Sequence, residues 1–480
     1  MNRKKVFNIV GRINIINSAL MLIPLIVSII FKEKCVISFI AAASLSLIFG
    51  LFLILITKTK NNVIYAKEGF AIVVLTWVTM SLFGALPFYI SGEIPSYVDS
   101  FFETVSGFTT TGASILTDVE SMSKGLLFWR SFTHWIGGMG VLVFVMAFLP
   151  NISDRSIHIL RAEMPGPTVD KLVPRSRDTA KILYMMYIVL TVVEIVLLLC
   201  GGMPFYDSLV HTFGTAGTGG FGIKSSSIAG YNSYLQWVIT IFMFLFGINF
   251  NLYYLLVLKR IKYVFKSSEL WVYTGIVLVS IGIITADIYS MTSGFSEALR
   301  LSSFQVSSVI TTTGFSTTDF NLWPTLSKSV LLVLMFIGAC AGSTGGGLKV
   351  SRVIMLVKLI FKEIKQMIHP RSVSSMRFEG KDVEDKTQRS VSVYFAVYMI
   401  CFFVIFLIIS IESFDFETTF SAVTACFNNI RPGFGVVGPT GSFAPFSDFS
   451  TLVLSIAMLL GRLEIFPLLI VLTPSVWMKK

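Results

Sequence analysis

Two kinds of apolar run alternate along this chain: some reach the ~20 residues that cross a hydrocarbon core, and others fall well short. Ile13 to Phe31 and Val36 to Ile56 are full-length and are joined by the charged turn Lys32-Glu33-Lys34. Beyond Gly69 a longer pattern sets in: a full-length run, a short apolar segment, a turn rich in Thr and Gly, and a second full-length run. The full-length pairs are Gly69–Ile90 with Leu126–Leu149, Ile182–Cys200 with Leu235–Leu258, Leu270–Tyr289 with Ser329 to about Met367, and Val391–Ile411 with Phe449–Trp477. The short segments Ser96–Phe108, Phe205–Phe213, Phe295–Val309 and Phe416–Phe427 predict re-entrant half-helices. Each runs into a turn: SGFTTTGAS, FGTAGTGGFG, VITTTGFST and the weaker CFNNIRPGFG, with closing glycines roughly a hundred residues apart.

The pattern predicts an all-α integral membrane fold with ten crossing helices and four re-entrant ones. An N-terminal transmembrane hairpin (1–66) precedes four membrane-pore-membrane repeats around one central pore, at 67–165, 166–266, 267–380 and 381–480. The second helix of the third repeat is broken by Gly338-Ala339-Cys340-Ala341-Gly342-Ser343-Thr344-Gly345-Gly346-Gly347.

Charge agrees with this arrangement. The 480 residues are 54% hydrophobic and only 14% charged, with a mean hydropathy of +0.78 and a net charge of +11. Arg3 to Lys5, Lys58 and Lys60, the segment 150–181, Lys259 to Lys266, the segment 358–389, and Lys479 with Lys480 carry much of the basic excess. These positions alternate with the Thr/Gly turns, so both termini and the basic loops are expected in the cytoplasm and the turns outside. The excess is accounted for by orientation, and with no soluble basic domain there is no support for nucleic-acid binding. No cleavable signal peptide is read at the N-terminus. The five cysteines lack a CxxC pair and read as small buried hydrophobes.

Irregular backbone at membrane depth is tolerated only where protein buries it or where it lines a water-filled cavity. Thr/Gly loops there expose carbonyl oxygens that replace the water around a bare cation. Half-helices entering from outside point their negative C-terminal ends at the membrane centre, which also favours a cation. The loops carry no ring of carboxylates, as a divalent-ion filter would, so a large monovalent cation such as K⁺ fits. A phosphate-cradling reading of Gly345-Gly346-Gly347-Leu348-Lys349 fails on spacing and on the lack of a preceding strand. Arg462 lies in the middle of the last span, where charge is costly and usually functional. Its guanidinium is placed to donate to carbonyls of the 338–347 break.

SGFTTTGAS (106–114), WRSFTHWIGGMG (129–140), AEMPGP with DKLVPRSRDTA (162–167 and 170–180), TGGFG (218–222), TTTGFST (311–317), GACAGSTGGGLKVSR (338–352), NNIRPGFG (428–435) and GRLEIFPLL (461–469) occur in this order. With these motifs the chain resembles the TrkH/KtrB family of the superfamily of K⁺ transporters over nearly its whole length. The extra N-terminal hairpin is like the TrkH type of potassium uptake protein. The resemblance implies a K⁺ selectivity filter of Thr110, Thr111 and Gly112; Thr218, Gly219 and Gly220; Thr312, Thr313 and Gly314; and Asn429 with Gly433. It implies that 338–347 is an intramembrane gate, with Gly345, Gly346, Gly347, Lys349 and Arg462 as its residues. It further implies a homodimer in a bacterial cytoplasmic (inner) membrane, and a cytosolic ring of TrkA-type RCK subunits that bind a nucleotide. The basic loops 150–181 and 358–389 are its expected docking surface. K⁺ is the transported ion, and no bound organic cofactor is implied.

One departure stands out. The family usually reads Asn-Asn-x-Gly-Pro-Gly in the fourth loop, whereas this chain has Arg431 at the internal glycine. An arginine among filter carbonyls opposes cation binding, so its side chain is expected to turn backward and pair with Asp448 or Glu417. Glu194 and Glu464, within apolar spans, are expected to pair with a Lys, Arg or hydroxyl, and His134 to pack with a hydrogen bond. Asp99, Glu103, Asp207 and Glu417 lie near half-helix starts, where acids suit the dipole and a secondary role is to gather cations at the mouth. Four scattered His and no HExxH-like spacing argue against a membrane enzyme. Repeats that all run in one direction favour a channel-like path over an alternating-access carrier. An H⁺- or Na⁺-coupled K⁺ symporter and a weakly selective K⁺/Na⁺ pathway are the alternatives that share this fold.

Overall fold

The structure is a computed structural model that describes residues 1–58, 65–140, 176–371 and 375–477, with the side chains of 176–179 left out. Among the described residues, six helices are long and apolar enough to cross a membrane, or eight when two bent pairs are each taken as one span. The chain is a multi-pass membrane protein. The helices Arg3–Leu20 and Leu22–Ile30 form the first crossing and Val36–Ile56 the second. They approach backbone to backbone at Gly11 and Gly50, where an added Cβ would lie 2.7 and 2.6 Å from the partner's carbonyl oxygen. Small residues permit such close crossings in lipid, where apolar side chains gain nothing by leaving the tails. The outer face of Val36–Ile56 carries exposed Ile37, Ile48 and Leu55.

The first unit comprises Ala66–Ser91, the half-helix Tyr97–Phe108 and the return helix Lys124–Gly138. The second comprises Ser176–Cys200, Phe205–Gly217, and Ser233–Phe246 with Phe250–Val257. The third has Ser268–Ile288, Phe295–Ile310, and Thr325–Ile337 with Val350–Ile368; the fourth has Asp385–Ile409, Phe416–Phe427, and Asp448–Arg462 with Phe466–Leu472. Two of the half-helices, the first and the fourth, start on a side-chain N-cap. Ser96 accepts from the Asp99 amide at 3.3 Å and Asp415 from the Thr418 amide at 3.1 Å. The remainder of the Leu126–Leu149 run, most of the basic segment 150–181, and Lys60, Lys479 and Lys480 lie outside the described residues.

Two return helices differ from the straight spans that hydropathy predicts. Leu235–Leu258 bends by 92° between Phe246 and Phe250, and Phe449–Trp477 bends by 119° between Arg462 and Phe466. At the first bend the Gly247 carbonyl is turned to accept from the Cys340 amide at 3.1 Å, and Asn249 starts the next helix by accepting from the Asn251 amide at 2.9 Å. At the second, Glu464 and Ile465 have φ of 59° and 60°, and Pro467 lies in the first turn of the helix Phe466–Leu472. The break in the third unit, expected from its glycines, is present between Ile337 and Val350. A two-residue hairpin, Arg377–Phe378 with Lys381–Asp382, lies between the third and fourth units. Of the cysteines, Cys35, Cys340 and Cys426 are buried, while Cys401 is partly exposed and Cys200 exposed at the end of its helix.

Candidate functional site

All four half-helices end in the same left-handed cap. Thr110, Thr218, Thr312 and Asn429 have φ of 56, 55, 59 and 55°. The following amide donates back five residues: Thr111 to Ser106 at 2.9 Å, Gly219 to Gly214 at 2.9 Å, Thr313 to Ser308 at 2.9 Å, and Ile430 to Ala425 at 2.8 Å. Asn visits this region readily, but a β-branched Thr does so at a cost of about 1–3 kcal/mol. That three Thr hold it at equivalent positions, fully buried, marks the caps as a constrained structure rather than ordinary turns.

The loops beyond the caps form one ring in chain order. A Cβ on Gly112 would lie 1.9 Å from the Gly219 carbonyl oxygen, one on Gly220 2.1 Å from that of Thr313, and one on Gly314 2.1 Å from that of Arg431. The Asn429 side-chain amide donates to the Thr111 hydroxyl at 2.9 Å and joins the last loop to the first. Gly112, Gly220 and Gly314 have φ of 77, 71 and 86°, so a side chain is opposed by both the backbone and the neighbouring loop. Counted from the cap, the equivalent position in the fourth loop belongs to Arg431. Gly433 stands outside the ring. Its amide donates to the Val437 carbonyl at 2.9 Å, and a Cβ there would meet Val437 and the Ser421 hydroxyl at 2.8 and 2.9 Å.

The 338–349 segment lies against the caps of the third and fourth loops. The Gly346 amide donates to the Thr312 hydroxyl at 2.6 Å and the Gly347 amide to the Asn428 carbonyl at 3.1 Å. Arg462 donates to the carbonyls of Thr344 at 2.9 Å, Gly138 at 2.7 Å and Gly137. It therefore joins the glycine-rich segment to the end of the first unit's return helix. Lys349 is buried and donates its ammonium to the Gly345 carbonyl. Gly345, Gly346, Gly347, Lys349 and Arg462, with Gly138, Gly140, Gly461 and Glu464, line a narrow cavity of about 40 Å³, space for a few waters at most.

Sequence reasoning missed Glu269. Its buried carboxylate accepts from the Ala341 amide at 2.7 Å and the Ser351 amide at 3.1 Å, so one side chain holds both ends of the segment. An acid in the first turn of a helix reads as a dipole partner, and its contacts span a separation that no local pattern encodes. Glu464 pairs with Arg352, with one bond of 3.2 Å, and Arg352 also lies 3.9 Å from the Tyr394 ring centre. Glu194 is buried near Thr215, but its carboxylate oxygens make no hydrogen bond among the described residues, and the Thr215 hydroxyl donates instead to the His211 carbonyl at 3.0 Å. His134 stacks on Phe221 at 4.2 Å and fills the space behind Gly219.

The side of the ring away from the 338–349 segment, expected to be the outer mouth, corrects two expectations. Arg431 pairs with neither Asp448 nor Glu417. Its guanidinium donates to the Gly441 carbonyl at 3.3 Å and lines the mouth cavity beside Gly220 and Gly314. Glu417 is engaged by Lys328 at 3.1 Å, and Asp448 opens the first turn of the last unit's return helix. Nor do the acids near the half-helix starts line this mouth. Glu103 is buried in an ion pair with Arg130 and accepts from Ser114 and the Ile115 amide at 3.0 and 3.1 Å. Asp207 accepts from the Tyr231 hydroxyl at 3.0 Å.

A family model described as TrkH, cation transport protein, matches residues 37–270 and 264–478. The chain is 35% identical over 484 residues to the Trk system potassium uptake protein TrkH of Salmonella typhimurium, which covers 99% of this chain and 100% of that one. It is 35% identical over 469 residues to the Trk system potassium uptake protein TrkG of Escherichia coli, at 95% of each chain. The crystal structure of the potassium transporter TrkH from Vibrio parahaemolyticus matches with a TM-score of 0.90 and 31% identity, over 100% of both chains.

Proposed function

Because the chain belongs to the TrkH family of cation transport proteins, we propose that it takes up K⁺ through a channel-like path, with the ring of four Thr/Gly loops as its selectivity filter. The observation that carries this reading is the common left-handed cap at Thr110, Thr218, Thr312 and Asn429. It sets four quasi-equivalent stretches of carbonyl-rich backbone around one axis, at the inner ends of four half-helices whose dipoles favour a cation. No chemical catalysis is assigned. K⁺ is cargo, held in passing by Thr110, Thr111, Gly112, Thr218, Gly219, Gly220, Thr312, Thr313, Gly314, Asn429 and the Arg431 backbone.

The segment 338–349 acts in this reading as a gate beneath the filter, with Arg462, Lys349 and Glu269 as its fastenings. The relatives named for the Trk system support a multi-component transporter. The fitting assembly is a homodimer in the cytoplasmic membrane, with both termini inside, docked on a cytosolic RCK ring that binds a nucleotide. The basic helix Val350–Ile368 leads directly from the gate towards that ring's expected surface.

The test is tracer rubidium uptake into proteoliposomes holding the purified chain, with K⁺ and Na⁺ as competitors. K⁺ is expected to block far better than Na⁺. Equal blockade contradicts a K⁺-selective filter, and absence of uptake both alone and with the nucleotide-loaded ring contradicts the transport reading. A second expectation concerns Glu269→Gln. Replacing a carboxylate by an amide weakens two charge-assisted bonds, a loss of about 1–2 kcal/mol from the closed segment. Resting rubidium flux should rise about fivefold or more, with the thermal midpoint close to that of the parent; an unchanged flux removes Glu269 from the gate.

A further inference from the structure

The mouth on the outer side of the ring has an unusual charge for a cation path. Of the described residues that line it, three are cationic, Arg130, Lys224 and Arg431, and none is acidic. Glu103 is the carboxylate that acts on Arg431, and it is already bound by Arg130, its ionic partner. Arg130 is itself buried against the Phe221 ring, 3.6 Å from its centre, and Lys224 sits 4.4 Å from that of Tyr231. Arg431 is the one of the three whose own backbone belongs to the ring: its carbonyl oxygen abuts Gly314, and its Cβ faces Gly112. Its guanidinium donates to the Gly441 carbonyl at 3.3 Å, and both residues line this mouth.

We propose that Arg431 is a specificity-determining residue, a tethered cation that excludes divalent ions from the outer end of the path. The inference rests on the transport reading given above. A fixed positive potential at the entrance lowers the local concentration of an ion by a Boltzmann factor whose exponent is proportional to the ion's charge. Whatever factor it imposes on a monovalent ion, it therefore imposes the square of that factor on a divalent ion. At the bulk-water limit, one charge about 4 Å from the ion gives a monovalent factor on the order of fivefold and a divalent one of about 25-fold, and drier surroundings raise both while keeping the squared relation. The chain accepts a modest loss of apparent K⁺ affinity, and a divalent ion of K⁺ size, which neutral carbonyls alone bind well, is kept out. The carbonyl ring discriminates by size and hydration, and the arginine adds discrimination by valence.

The experiment uses the full chain in proteoliposomes, with rubidium uptake as the readout and Ba²⁺ and K⁺ as competitors, in the parent, Arg431→Gln and Arg431→Lys. In Arg431→Gln the half-inhibiting Ba²⁺ concentration should fall about 25-fold and that of K⁺ about fivefold, the first shift close to the square of the second. The two curves should converge on the parent's at molar ionic strength, where the charge is screened within about 3 Å. Arg431→Lys keeps the charge without the planar fork and should retain the parent's ratio of Ba²⁺ to K⁺ half-inhibiting concentrations, whatever its rate of uptake. It also guards against misfolding of the neutral variant, since a size or packing effect would move both variants together. Equal shifts for Ba²⁺ and K⁺, no shift, or a lysine variant that behaves like the glutamine one would each overturn the proposal. A parent that carries no rubidium overturns the transport reading along with it. A parent that carries rubidium without the squared relation overturns only the role of Arg431.

Discussion

Replacing Arg462 with alanine should raise resting rubidium flux by about 30-fold. The guanidinium donates to three carbonyls: Thr344 in the glycine-rich segment, and Gly137 and Gly138 at the end of the first unit's return helix. Bonds to a charged donor contribute about 1.5–3 kcal/mol each. Water entering the alanine variant replaces part of that, which leaves about 2 kcal/mol lost from the closed arrangement. Such a loss shifts a closed-to-open ratio by about 30-fold, and flux follows as long as the closed form dominates. Removal of a positive charge from beneath the ring acts in the same direction, because it raises cation occupancy there. Arg462→Lys should fall between the two, since it keeps the charge but loses the fork that reaches two structural elements at once. Flux and thermal midpoint measured together decide the matter. High flux with a preserved midpoint assigns Arg462 to gating, and unchanged flux with a lowered midpoint makes it a structural tie.

The features legible in the sequence are those that interrupt a hydrophobic run with residues of distinctive backbone freedom. The half-helices are too short to cross and end in Thr/Gly turns, and the third unit's break is spelled out in glycines; both are present in the structure close to where expected. The bends in the second and fourth units are hidden, because the mean hydropathy of each run stays high enough for a span in spite of Asn249, Arg462 and Glu464. Asn249 and Pro467 are the available signals, but either residue is compatible with an ordinary span in isolation. Side-chain direction is harder still. Charge logic alone pairs Arg431 with a carboxylate, but Glu417 is already engaged by Lys328, and the bond Arg431 makes is to a backbone carbonyl. The placement of Gly433 fails for a related reason. A motif counted from its proline–glycine pair gives one register and the helix cap gives another, and the cap is what positions the chain in the ring.

That register leads to the sharpest test of the ring itself. Gly314→Ser should reduce rubidium uptake by at least about 100-fold. At φ of +86° an L-residue is disfavoured by roughly 1–2 kcal/mol before any contact is counted. The new Cβ would then lie 2.1 Å from the Arg431 carbonyl oxygen and 2.8 and 3.1 Å from its carbonyl carbon and amide nitrogen. All three are backbone atoms of the adjoining loop, so relief requires the loops to part and the spacing of the carbonyls to change. Gly220→Ser meets the Thr313 carbonyl oxygen at 2.1 Å and should behave alike. Gly275→Ala and Gly282→Ala, on the helix Ser268–Ile288, have nothing within 4 Å of the added methyl and should leave uptake at the parent's level. The contrast separates a filter from a general sensitivity to glycine replacement. If Gly314→Ser instead carries rubidium at the parent's rate with the parent's preference for K⁺ over Na⁺, ions do not pass through the ring, and its strained threonines serve only to hold the four units together.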